Sequence, residues 1–285
     1  MYSTTQTLSK HDILINKIFK FLPSSHKIKI KKVINSNISE KDKLTQISNL
    51  VKTYIDAHRV TPDLNRQDFI VGNIKNYLLQ LYPNLLTEEL RIVDIGGGNG
   101  NVISKLRTNL CLDTKKENFI CLETLNDWTE SYDFNNTNIT YKFWDNKEDV
   151  DIESNSVDII LCMVSLHHMT NETLHNLLVN IKRILKKDGK IFIKEHNKTN
   201  LSEHFILWEH HLYHILDCAY KNTLINVDEY RKTCIYNFKK LEQWNIIFSE
   251  YGFNLTTIRN RFLDDRYAYD YKNCSELYWA VFSNS

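Results

Sequence analysis

Prolines and glycines are scarce in this chain, three and seven in 285 residues, which excludes collagen-like and low-complexity linker architectures. Long apolar runs are missing too. No stretch approaches the ~20 apolar residues that a bilayer-spanning helix needs, and the opening MYSTTQTLSKHD lacks the apolar core of a secretory signal. We therefore expect neither membrane insertion nor secretion. Charge of one sign is not in surplus: 36 Lys and Arg stand against 35 Asp and Glu, so no global field draws a polyanion to the surface. The six cysteines, at 111, 121, 162, 218, 234 and 274, contain no C-x-x-C pair, and Cys121 and Cys162 lie inside apolar runs. They read as reduced thiols of a cytoplasmic protein.

What is present belongs to a folded chain. Hydrophobic residues make up 42% and aromatics 12%, enough for one substantial core with length left for decorations. Residues 1–85 read as a helical N-terminal extension or lid, broken at Pro23 and Pro62. It ends in QDFIVGNIKNYLLQLY, where Phe69, Ile70, Ile74, Tyr77, Leu78 and Leu81 recur at helical spacing. Between residues 10 and 32, Lys10, Lys17, Lys20, Lys27, Lys29, Lys31 and Lys32 face only Asp12. They read either as the solvated sides of helices or as an anion-binding surface.

Residues 86–285 change character. The apolar runs RIVDI, NFICLE, ITYKFW, VDIILCMV and KIFIKE alternate with helical segments, which predicts an α/β fold with a mostly parallel sheet covered on both faces. The helix NETLHNLLVNIKRILKK is expected to stop at Asp188-Gly189, where glycine can take the left-handed conformation. Residues 200–250 interrupt the alternation with a helical, substrate-facing insertion, containing HFILWEHHLYHILDCAY and YNFKKLEQWNIIFSEYG. The closing runs FNLTTIRNRF and ELYWAVF are expected to pair antiparallel at the sheet edge.

The sharpest local signal is IVDIGGGNGN at residues 92–101, a strand that ends acidic and runs through glycines into a helix. Gly96, Gly98 and Gly100, with Asn99 among them, make a turn whose backbone can approach a ligand at a helix N-terminus. Asp94 distinguishes between ligands. A carboxylate there repels the pyrophosphate of NAD or FAD and attracts an amino-acid ammonium group. The third glycine also falls one position too early for the dinucleotide pattern, and no P-loop lysine follows, so a nicotinamide-dependent oxidoreductase is disfavoured. Glu123, ending the second run, can accept from both hydroxyls of a ribose. Asp145, after the third, can accept from an adenine amino group, with Met163 or Trp144 offering an apolar surface to the ring, although Trp144 reads first as core.

These segments, IVDIGGGNG, ICLE, FWD, VDIILCMVSLHHM and LKKDGKIFIKEH, resemble in order and spacing the successive motifs of class I S-adenosylmethionine-dependent methyltransferases over roughly residues 90–197. The resemblance implies a Rossmann-like sheet of seven strands, the last antiparallel, with S-adenosylmethionine as cofactor. It implies cofactor contacts at Asp94, Gly96, Gly98, Glu123 and Asp145 and near Met163 and Val164, within a turn that also holds Asn99 and Gly100.

Methyl transfer needs a base only when the acceptor carries a proton. Residues at the carboxyl ends of the fourth and fifth runs border the ligand crevice of such a sheet, which nominates Ser165, His167 and His168 and then Lys194, Glu195 and His196. Of these, His167 and His196 have the chemistry of a base near neutral pH. SLHHM also resembles a signature of small-molecule methyltransferases in which the histidines shape the pocket. Lys194 with Glu276 resembles part of the Lys-Asp-Lys-Glu tetrad of RNA ribose methyltransferases, but Cys162, Met163 and Val164 stand where its aspartate belongs. His210, His214 and Cys218 share a helical row, yet no second ligand cluster accompanies them and no metal is expected. The reading is a methyltransferase acting on a small molecule, with RNA as the alternative acceptor and a non-catalytic binding subunit as the alternative class. Nothing in the sequence indicates a protein partner.

Overall fold

The computed structural model describes residues 9–61, 65–81, 89–110, 115–124, 138–198, 203–259 and 277–284. Its elements in chain order are helices α1 (Lys10–Ile18), α2 (Ser24–Ile34), α3 (Glu40–His58) and α4 (Asn65–Leu81), then strand β1 (Ile92–Ile95), helix α5 (Asn101–Leu110) and strands β2 (Phe119–Glu123), β3 (Thr140–Phe143) and β4 (Val157–Met163). Helix α6 (Asn171–Ile184), strand β5 (Leu185–His196), helices α7 (Glu203–Tyr220), α8 (Val227–Thr233) and α9 (Leu241–Glu250) and strands β6 (Phe253–Arg259) and β7 (Leu277–Asn284) complete it. They form two compact units. One contains α1, α2, α3, α7 and α8; the other contains the sheet with α4, α5, α6 and α9.

Among the described residues, seven strands make one sheet in the order β3-β2-β1-β4-β5-β7-β6. Strands β1 to β5 run parallel, and β7 is antiparallel to both of its neighbours. The expected Rossmann-like α/β architecture is thus present, with the two closing runs paired as β6 and β7. Alternation along the strands builds a core on each face. On one face Val93, Ile95, Ile120, Leu122, Ile160, Ile191 and Ile193 pack with Leu177, Leu178 and Ile181 of α6 and Trp244 and Phe248 of α9. On the other, Ile92, Phe119, Ile159, Leu161 and Phe192 pack with Val71, Ile74 and Leu78 of α4 and Ile103 and Leu106 of α5. Trp144 lies 3% exposed in the first core, and its indole N–H donates to the Glu148 carbonyl at 2.6 Å, so it closes a loop as well as filling space.

One boundary differs from expectation. Helix α6 ends at Ile184 rather than at Gly189, and β5 begins at once with Leu185. Leu185 pairs with Val157, Lys190 pairs with Ile159, and the residues between form an irregularity in the ladder. Gly189 is needed for space rather than for a helix stop. A Cβ there would stand 2.6 Å from the side chain of Leu185, which is itself buried in the core.

The helical unit has its own core of Leu14, Ile15, Phe19, Leu44, Ile47, Val51, Leu212 and Ile215, with Trp208 buried among them. Tyr213 and Tyr220 pack against it as partly buried residues. Lysines of the N-terminal basic stretch are partly neutralised within the unit. Lys17 of α1 meets Glu209 of α7 at 2.5 Å, both side chains nearly buried, and Lys31 of α2 meets Asp12 at 2.5 Å. No helix among the described residues is long and apolar enough to cross a membrane.

Candidate active site

The turn that follows β1 is held from three sides. The Gly96 N–H donates to the Leu122 carbonyl at 2.8 Å, tying the turn to β2. The Gly98 N–H donates to a carboxylate oxygen of Glu123 at 2.8 Å, and the Thr124 N–H donates to the other at 2.7 Å. The Tyr141 hydroxyl on β3 contacts the Asn99 carbonyl. Gly96 has φ +66°, and a Cβ there would stand 2.6 Å from the Ser165 Cβ, so the turn and the segment after β4 approach too closely for any side chain. Ser165 completes the contact by donating its hydroxyl to the Ile95 carbonyl at 2.8 Å.

Asp94 sits on β1 opposite Cys121, with Glu123 two residues farther along the adjacent strand. It is 1% exposed, and its Oδ1 has no hydrogen-bond partner among the described residues. Burial, with the charge of Glu123 nearby, pushes its carboxyl up to about 7. A buried carboxylate oxygen with no donor costs free energy, so the site lacks one cationic or N–H group that a ligand can bring. Glu123 differs. Its oxygens already accept backbone N–H groups but retain further acceptor capacity for hydroxyl donors. Together an orphaned carboxylate, a glycine turn and a second acceptor carboxylate fit an amino-acid ammonium joined to a ribose, which S-adenosylmethionine carries.

The remaining sequence-nominated residues divide. Met163 ends β4, and Val164 follows with φ +60°, a strained conformation for a β-branched residue, fixed by its N–H donating to the Lys194 carbonyl at 2.7 Å. The Asn99 side chain accepts from the Asn101 N–H at 3.2 Å, inside the turn itself. Asp145 is exposed after β3, and its Oδ1 accepts from the Lys147 and Glu148 N–H groups, which hold its carboxyl below the usual range. Lys194 stands directly opposite Met163 in the β4–β5 register, so an apolar side chain occupies the position beside it on that strand. Glu276 lies outside the described residues.

At the carboxyl ends of β4 and β5 the chain gathers three imidazoles. The ring of His167 lies 4.2 Å from that of His168 and 5.5 Å from that of His196, and Phe238 packs against both His167 and His196. His167 and His196 are buried, while His168 is half-buried. Behind them lies Glu195, 1% exposed, with one oxygen 2.6 Å from His167 Nδ1 and the other accepting the Leu166 N–H at 2.9 Å. Burial pushes Glu195 up to about 7 and His167 down to about 3, so the imidazole stays uncharged and shares a proton with the carboxyl rather than forming an ion pair with it. The sequence pointed to Glu195 only as one of three residues ending KIFIKEH. That it reaches the other sheet face from Lys194 follows from strand alternation, but its partner in the loop after β4 does not. Phe238 falls in a stretch read as helix, but it lies ahead of α9, outside any helix or strand.

The chain matches the model of a methyltransferase domain over residues 65–258. Similar solved structures include the S-adenosylmethionine dependent methyltransferase from Mesorhizobium loti, at 12% identity and TM-score 0.47, covering 70% of this chain and 96% of that one. The PH0226 protein from Pyrococcus horikoshii is similar at 12% identity and TM-score 0.48, covering 82% and 99%. A chain from the Haloferax volcanii complex of the Trm112 methyltransferase activator is similar at 14% identity and TM-score 0.48, covering 75% and 92%. Comparison with curated proteins gives no match. Since the domain model spans well over half of the chain and the sheet has the strand order set out above, the chain belongs to the class I S-adenosylmethionine-dependent methyltransferases.

Proposed function

We propose that this methyltransferase acts on a small molecule bearing an O–H or N–H group, and that its cofactor is held by Asp94, the turn from Gly96 to Gly100, Glu123, Asp145 and the Met163–Val164 segment. Bound there, S-adenosylmethionine supplies an activated methyl group. The chain's own residues supply position and proton transfer. Asp94 pairs with the ammonium group, Glu123 accepts from ribose hydroxyls while anchoring Gly98, and strained Val164 sets the floor between β1 and β4.

The observation that carries the acceptor reading is the imidazole cluster at the ends of β4 and β5. An O–H or N–H acceptor must lose its proton as the methyl arrives, and an imidazole nitrogen that carries a lone pair can accept it. His168, the half-buried member, is the one a solute reaches; His167 and His196 support it from behind. A ribose-type mechanism is less well supported, because Met163 rather than an acid faces Lys194. The internal pairing of Lys17 and Lys31 also weakens the case for a polyanion surface. Incubation with labelled S-adenosylmethionine and either a metabolite extract or total RNA decides. Label in a small molecule is expected; label in RNA, or none in either extract, overturns the acceptor assignment.

A further inference from the structure

The Glu195–His167 contact has a property that follows from counting protons. The two groups meet at 2.6 Å, both essentially without solvent exposure, so a single proton lies between Nδ1 and the carboxylate. When Glu195 is ionised, that proton belongs to Nδ1, and the second ring nitrogen of His167, Nε2, carries a lone pair. When the pair takes up one proton from solvent, Glu195 becomes the donor to Nδ1 and the imidazole proton resides on Nε2. The Leu166 N–H on the other carboxyl oxygen is compatible with both states, since that oxygen accepts in each.

We propose that Glu195 is a positioning residue that sets the tautomer of His167, and thereby whether this histidine presents a lone pair or a proton toward the imidazoles beside it. The inference rests on the reading of the His167–His168–His196 cluster as the acceptor side. The groups facing Glu195 are His168 in the turn, whose positive form favours the carboxylate, Cys162 on β4 and Tyr278 on β7. Tyr278 in turn feels Glu242 of α9. None of these is a fixed cation, so burial governs the carboxyl and the exchange falls near neutral pH. The ionised form of Glu195 is the state in which the cluster can take a proton from an acceptor.

The amide of Glu195→Gln separates this role from simple packing. Its oxygen must face the Leu166 N–H, which directs its NH2 toward His167 Nδ1 and holds the histidine in the Nε2–H form at every pH. Nitrogen NMR of the protein with labelled histidine, with His167 assigned by a His167→Asn variant, reads the tautomer without any acceptor. In the wild type the proton is expected to move from Nε2 to Nδ1 between about pH 6 and about pH 8; in Glu195→Gln it stays on Nε2. With acceptor, kcat of Glu195→Gln is expected to fall about ten-fold or more and to lose its rise with pH, while S-adenosylmethionine affinity stays near wild type. Glu195→Asp, which keeps the ionisable group, restores the pH dependence in part. A single tautomer across the pH range in the wild type, or a tautomer in Glu195→Gln that still changes with pH, overturns the proposal. A wild-type switch with an unchanged kcat profile in Glu195→Gln overturns the link to catalysis and leaves cofactor binding unaffected, so failure of the acceptor reading is seen separately.

Discussion

Asp94 is held in the protein at a cost. Its carboxyl in the folded state, at about 7, lies well above the ~3.9 of an unfolded chain. The folded protein therefore binds this proton more tightly than the unfolded one. The group's contribution to stability is full below the unfolded value and is lost as pH rises through about 7. From about pH 4 to pH 8 the cofactor-free protein should lose roughly 2 to 4 kcal/mol from Asp94 alone. Asp94→Asn removes that slope, so denaturant unfolding at alkaline pH should find the variant more stable than the wild type and yet poor at binding cofactor. A variant that loses stability at alkaline pH would show that the buried carboxylate is satisfied within the protein. The placing of these residues was legible in the sequence because structure at a strand end is local: Asp94 on β1, Gly96 and Gly98 in the turn after it and Glu123 at the end of β2 fall where IVDIGGGNG and ICLE put them. The His167–Glu195 contact was not legible. It joins side chains 28 positions apart whose meeting depends on the register of β4 against β5.

Among the elements, α1 and α7 are joined by the Lys17–Glu209 pair, whose side chains are only 7% and 6% exposed. Burying both charges is costly, and it is balanced only while both are present. Lys17→Met should therefore destabilise the helical unit by roughly 3 to 5 kcal/mol, whereas the double replacement Lys17→Met with Glu209→Leu should recover most of the loss. Chemical denaturation followed by helix signal measures both; a mild single variant would show that the pair contributes little. The sequence placed Lys17 on a basic face and could not see its partner, because Glu209 lies 192 positions away. Element boundaries show the same limit. Helical periodicity runs on through Leu185, and Asp188-Gly189 is a sound local stop signal. The strand begins earlier because Val157 offers Leu185 a ladder partner and the core accepts its side chain, a tertiary effect that overrides the local one.

At the scale of the molecule, the alternating pattern of residues 86–285 was enough for the sheet, its two covered faces and its antiparallel closing strands. Parallel strands buried on both faces read as short continuous apolar runs, and crossover handedness leaves few topologies. The grouping of helices was harder. Helix α4, at the end of the segment read as an N-terminal extension, belongs with the sheet, while α1, α2 and α3 share a core with α7 and α8. Amphipathic spacing says that a helix buries one face, and it does not say against what. The family supplies the reaction; in the proposed function the orphaned carboxylate on β1 ties that reaction to this chain's own residues. Calorimetric titration with S-adenosylmethionine at about pH 6 and about pH 8, beside NADH, tests that tie most directly. Ionised Asp94 is the form that pairs with an ammonium group, so binding should be about ten-fold weaker at the lower pH, nearly absent in Asp94→Asn, and undetectable for NADH. PH-independent binding that survives Asp94→Asn, or selective binding of NADH, would contradict it.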